Sequence, residues 1–351
     1  MLEQQLVNSL MLGSVYALIA VAFTLAIGVL NFLNFSLPGL FMVAGMLTWF
    51  LLRAHVAWPL AALLAIGSGG LLGLLVERFT YRLMSRSAHF VPLVTSMAFL
   101  ILFENLVLIA WGSDLQRVPL PFETVSWRLG PTVIAVPQLI GLACAVLAVA
   151  LLDVLLKRTR IGRGLRTIAE DPQTAVLLGV PVARVVPLVF VVGGLFTALG
   201  GFLFAINYQQ ASPFMGEEIA LKGISAMVLG GMGNIWGAIL GGLLIGVVET
   251  FSITWFGARA VDIGVYGLLL AILLCLRTAL SCRWSPGSST LASPHSSRSA
   301  PTARATFRRP MACIPWLRRW PRSSSVHSWD GWSPSRSCAR AASISRLPPS
   351  R

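Results

Sequence analysis

Val7-Asn-Ser-Leu-Met-Leu-Gly-Ser-Val-Tyr-Ala-Leu-Ile-Ala-Val-Ala-Phe-Thr-Leu-Ala-Ile-Gly-Val-Leu30 runs for 24 residues without one charged side chain. A helix needs about 20 apolar residues to cross the hydrocarbon core of a bilayer. The apolar residues do not alternate with polar ones, so the stretch is not a barrel strand. Lipid offers nothing to backbone N–H and C=O groups, and a continuous helix satisfies them internally. Similar runs recur near 37–52, 58–76, 91–111, 132–156, 185–207, 218–234, 235–256 and 263–277. The sequence therefore predicts an all-α polytopic transmembrane bundle of eight or nine spans. The count turns on 218–234, which carries Glu218 and Lys222 and ends in Gly230-Gly231-Met232-Gly233-Asn234. That segment either crosses or enters and turns back.

Composition agrees. Of the 351 residues 56% are hydrophobic and 11% charged, against about 25% charged in soluble domains. The mean hydropathy is +0.78. The natural solvent of this surface is a lipid bilayer. The formal charge of +14 suggests a nucleic-acid binder, but its distribution does not. Residues 1–277 hold 15 Lys/Arg and 12 Asp/Glu, whereas 278–351 hold 12 Arg and the single acid Asp330. The basicity belongs to the tail, and no nucleic-acid partner is expected. The five cysteines have neither zinc-site nor disulfide-framework spacing. The N-terminus lacks the basic region of a cleaved signal, so its run is read as a retained helix.

Lys/Arg placement orients the bundle. The connection 77–90 carries Arg78, Arg82 and Arg86, and the loop 157–184 carries Lys157, Arg158, Arg160, Arg163, Arg166 and Arg184. Both are assigned to the cytoplasm, which places 112–131 and the N-terminus outside. The expected organisation is a membrane domain over 1–277 followed by a tail over 278–351. That tail has 18 Ser, 12 Arg, 9 Pro and 5 Trp but no Lys or Glu. The mixture reads as high-GC coding sequence translated out of frame; a genuine basic cytoplasmic tail is the alternative.

Within the cytoplasmic loop, Asp171-Pro172 is a helix start, because Asp caps free N–H groups and proline fits the first turn. Gly179 suits the position just past a helix end. A short helix is expected over 172–178, with Ala175, Leu177 and Leu178 giving it apolar surface. Such an element serves either as a docking site or as a cover for the end of the bundle. Within the membrane, Glu104 and its neighbour Asn105 lie in an apolar run. A carboxylate there costs a few kcal/mol unless it faces the bundle or water. It is a pathway residue, a packing partner or a proton site. Glycines at 193–194, 200–201, 230–231, 233, 237, 241–242 and 246 permit close helix approach or hinging. There is no phosphate-binding loop with the GxxxxGK[ST] spacing, no metal cluster and no Ser/His/Asp set. The chain is not expected to be an enzyme or to bind a cofactor.

The loop residues Gly162, Arg163, Arg166, Ala169, Glu170, Asp171, Pro172, Ala175 and Gly179 resemble the cytoplasmic coupling segment of LivH/LivM-type permeases of branched-chain amino acid ABC importers. Asn8, Leu12-Gly13-Ser14, Tyr16-Ala17-Leu18, Thr24, Gly28 and Asn34-Phe35 resemble that family's first helix and turn. Leu229 through Gly246, followed by Glu249, resembles its late glycine-rich segment. The resemblance covers roughly 5–277. It implies a multi-pass subunit of the bacterial inner membrane that moves branched-chain amino acids or related small polar solutes. It also implies three partners: ABC ATPase subunits on the loop, a second related permease, and a periplasmic solute-binding protein. Gly162, Arg163, Arg166, Glu170, Asp171, Pro172, Ala175 and Gly179 would transmit ATPase motion. Asn34, Glu104, Asn105, Gly230, Gly231 and Gly233 are candidates for the pathway or its packing. Two departures stand out. Asn34-Phe35 continues as Ser36-Leu37-Pro38-Gly39 without the family's histidine and carboxylate, and Arg277 leads into Thr-Ala-Leu-Ser in place of the usual ending. A permease for urea or short amides, or a proton-coupled carrier using Glu104, remains open.

Overall fold

A computed structural model describes residues 2–82, 90–119, 126–129, 132–170, 172–257 and 261–283. Contacts divide the chain into two units, Met1–His295 and Ser296–Arg351, and everything described lies in the first. Its helices are α1 (Leu2–Leu30), α2 (Ser36–Arg53), α3 (Trp58–Glu77), α4 (Phe90–Trp111), α5 (Val136–Arg158), α6 (Arg160–Glu170), α7 (Pro172–Leu177), α8 (Val182–Tyr208), α9 (Met215–Gly230), α10 (Ile235–Phe256) and α11 (Val261–Arg283). A π turn, Arg78–Arg82, continues α3. Every apolar run read from the sequence has become a helix. Seven of these (α1, α2, α3, α4, α5, α8 and α10) are long and apolar enough to cross a membrane by length and composition. The apolar part of α11, Val261–Leu274, is shorter, and α9 has 16 residues. One expected boundary moves. The run begun at 132 opens as a strand, because Thr132-Val-Ile pairs in a hairpin, and the helix starts only at Val136-Pro137.

Four short strands sit at one end of the bundle: β1 (Gln116–Arg117), β2 (Ser126–Leu129), β3 (Thr132–Ala135) and β4 (Gln210–Ala211). β1 pairs with β4 and ties the end of α4 to the end of α8. At the opposite end, the Trp236 indole N–H donates to the Asp153 carboxylate at 3.2 Å, and Lys157 bridges the same carboxylate at 2.8 Å. These contacts join the basic end of α5 to the start of α10. The chain thus leaves β4 at one end and reaches Trp236 at the other. Segment 215–234 passes through the bundle and does not turn back. By the charge rule, the β1–β4 end is outside and the Asp153 end inside.

α1 is the central helix, buried along most of its length and packed on α8, α9 and α10. Without water to expel, helices in lipid associate through close backbone approach at small residues. A Cβ placed on Gly242 would lie 2.5 Å from the Ala17 backbone nitrogen, and one on Gly246 would lie 2.4 Å from that of Gly13. Gly69 meets Gly194 between α3 and α8, and Gly230 meets Gly237 between α9 and α10. Gly242→Ala is therefore expected to destabilise the bundle by about 1–3 kcal/mol. A second change, Ala17→Gly, will not relieve it, since the clash is with backbone. Thermal unfolding of both variants in detergent checks this; a full rescue would place the contact elsewhere.

Candidate functional site

Two places concentrate polar chemistry. The first is the inner corner between α5 and α8. α5 ends at Arg158, and Thr159 turns the chain; its hydroxyl accepts the Gly162 N–H at 3.1 Å. Gly162 is buried so closely under α5 that a Cβ would overlap the Leu156 carbonyl. The Arg166 guanidinium donates to that same carbonyl oxygen at 2.7 Å. A cation at a helix C-terminus both satisfies a free carbonyl and complements the dipole. Leu165 and Ile168 are buried and Arg163, Arg166 and Glu170 are exposed, so α6 is amphipathic and anchored.

α7 follows as the sequence predicts, from Pro172 to Leu177. Asp171, expected to cap it, lies outside the described residues. The far end is a complete Schellman motif. Val180 N–H donates to the Ala175 carbonyl and Gly179 N–H to the Val176 carbonyl, both at 3.0 Å. Gly179 has φ +77, a conformation in which only glycine is unstrained. One expectation is corrected. Ala175 does not contribute exposed surface; it is fully buried and holds α7 down. The exposed apolar residues are Val176, Leu177 at 86% and Leu178 at 69%.

The second place is inside the membrane. Lys222 on α9 and Glu249 on α10 form an ion pair at 2.6 Å, with the residues 9% and 6% exposed. The Lys222 ammonium also lies 5.8 Å from the centroid of the buried Tyr16 ring on α1. The second carboxylate oxygen of Glu249 is buried with no hydrogen-bond partner. This pair was missed in the sequence as a unit. Its signal was present: Glu249 is the single charge on α10, and Lys222 the single cation on α9. Charges at membrane depth usually find one another.

The other candidates disperse. Asn34 is buried, and its side-chain oxygen accepts from the Ser36 N–H at 3.1 Å and the Ser36 hydroxyl at 2.7 Å. It shapes the start of α2. Glu104 is half-buried on α4, close enough to the exposed Glu217 of α9 to feel its charge. Asn105 is exposed, and its amide donates to the Ile101 carbonyl of its own helix at 2.8 Å. Gly231 and Gly233 have φ of +90 and +88 and make the tight turn between α9 and α10.

A family model described as the permease component of branched-chain amino acid transport systems matches residues 5–274. The high-affinity branched-chain amino acid transport system permease protein BraD of Pseudomonas aeruginosa is 31% identical over 79% of this chain and 94% of its own length. The corresponding LivH proteins of Salmonella typhimurium and Escherichia coli are 31% and 30% identical over the same shares. The matched residues include both the α6–α7 corner and the buried ion pair.

Proposed function

The chain belongs to the permease-component family of branched-chain amino acid transport systems, and from that premise we propose that it is the membrane-spanning subunit of an ATP-driven importer of branched-chain amino acids. In this reading it sits in the bacterial inner membrane beside a second, related permease. ATPase subunits dock on the α6–α7 corner and supply the energy, and an external binding protein delivers solute at the β1–β4 end. The chain transmits motion and does not itself hydrolyse ATP. The observation that carries the reading is the exposed apolar set Val176, Leu177 and Leu178. It is held by an anchored amphipathic helix and a glycine cap at the basic, inner end of the bundle. Apolar side chains fixed toward water in this way are the mark of a surface that another protein covers.

Reconstitution tests it. With ATPase, partner permease and binding protein, liposomes should accumulate radiolabelled leucine when ATP is supplied and not otherwise. Accumulation of urea or a short amide in place of leucine would move the solute. Uptake by this chain alone under an inward proton gradient, abolished by Glu104→Gln, would replace the importer with a proton-coupled carrier. The residues 278–351, outside the matched span, we assign to a shifted reading frame. The locus sequenced afresh should show the frame change near codon 277, and a chain ended at Arg277 should transport as well as the full one.

A further inference from the structure

At the outer end of α2 lies an open depression of about 450 Å³ lined by Trp49, Arg53, Gln116, Arg117, Val118 and Pro119. Two cations on the outer side run against the inward bias of basic residues in these proteins. Their placement is specific. α2 packs against α3, α4, α8 and α9 and is mostly buried, and Arg53 is its exposed outer end. Its guanidinium is held 5.4 Å from the centroid of the buried Trp49 ring. The Arg117 backbone is fixed by the β1–β4 pairing while its side chain is exposed, and the next residue, Val118, donates its N–H to the Gln209 carbonyl at 3.0 Å. Neither arginine has an ion-pair partner among the described residues.

We propose that this depression is a carboxylate-recognition site through which the permease receives the carboxyl end of an amino-acid solute; the identity of that solute rests on the importer reading above. Guanidinium groups bind carboxylates through paired, charge-assisted N–H donors. The Gln116 side-chain oxygen is the acceptor available to an ammonium group. Val118, Pro119 and the Trp49 ring offer apolar walls to an aliphatic side chain. The carboxylate dominates recognition, because two of the lining residues are cationic and none of the described lining residues is acidic.

The test is titration of the full chain in phosphatidylcholine nanodiscs with three probes: L-leucine, L-leucinamide, and 4-methylpentanoate, which keeps the carboxylate and lacks the ammonium. Leucine and 4-methylpentanoate should bind, the latter at least as tightly. Leucinamide should bind at least about tenfold more weakly, the scale of a lost hydrogen bond to a charged group. Arg53→Gln/Arg117→Gln should weaken both carboxylates by about tenfold or more while leaving the chain folded. The proposal is overturned if leucinamide binds as well as leucine, if the arginine variant binds carboxylates unchanged, or if no carboxylate binds the original chain. Should the double variant not fold, Arg117→Gln alone and the three-probe comparison on the original chain still decide. These titrations need no ATPase, so they stand apart from the uptake assay. Leucine uptake with no carboxylate binding removes the recognition site and keeps the importer; arginine-dependent carboxylate binding without leucine uptake removes the amino-acid solute.

Discussion

Glu249→Leu alone should lower the stability of the bundle by about 3–5 kcal/mol, the usual result of stranding one partner of a buried ion pair. It is expected to be the most damaging single change among the described residues. The carboxylate answers the one cation that α9 carries, at 2.6 Å and away from solvent. Leucine there leaves the Lys222 ammonium without its buried ion-pair partner, with a weak attraction to the Tyr16 ring remaining. Lys222→Met should do comparable harm by stranding the carboxylate, which already has one unsatisfied oxygen. The double variant Lys222→Met/Glu249→Leu should recover most of the loss, since replacing both members of a buried pair with apolar residues is often neutral or stabilising. Thermal unfolding of the three purified variants checks the cycle. Additive losses in the double variant would show that each residue acts through other contacts. The double variant also separates packing from transport. If it folds normally but imports no leucine, the pair takes part in the movement of α9 against α10.

The main helices were legible because one strong signal, a predominantly apolar run of about spanning length, decides each of them. Local chemistry was legible too. Pro172 and Gly179 mark the two ends of α7 closely, since helix starts and stops depend on the chain itself. Three things were hidden for physical reasons. α6 was missed because Gly162, Gly164 and four basic or acidic side chains read as loop, and the burial of Leu165 and Ile168 follows from its packing on α5, α7, α1 and α8. The outward face of α7 was partly misassigned: with only six residues, spacing cannot tell which side meets the bundle, and Ala175 proved to be the anchor. The Lys222–Glu249 pair was legible only as two isolated charges, because its members sit on different helices, 27 residues apart. Glu104 drew attention as a carboxylate in an apolar run, yet it lies at the edge of the buried face of α4. Hydropathy reports which residues are unusual but not where the helix turns them.

The inner corner yields the second large effect. Leu177→Asp/Leu178→Asp should abolish ATP-driven uptake and strip the ATPase from the purified permease while leaving the permease folded. Both side chains are exposed, and surface substitutions away from special features usually change stability by less than about 0.5 kcal/mol. The backbone around them is independently fixed by Ala175, by the Gly179 motif and by the Arg166 bond to the Leu156 carbonyl. An interface, by contrast, feels the change strongly. Anchor side chains at the centre of a contact are worth about 2 kcal/mol or more each, so losing two and adding two charges should weaken docking at least about a hundredfold. Arg166→Ala provides the contrast, because it removes the bond that closes α6 onto α5. It should reduce stability by about 1 kcal/mol and coupling together, whereas the leucine variant should reduce coupling alone. Co-purification of the ATPase, thermal unfolding and leucine uptake, measured side by side, distinguish the two. If the leucine variant retains its ATPase and imports at the original rate, α7 is only a cover for the end of the bundle. The motion that drives transport must then enter through another part of the inner face.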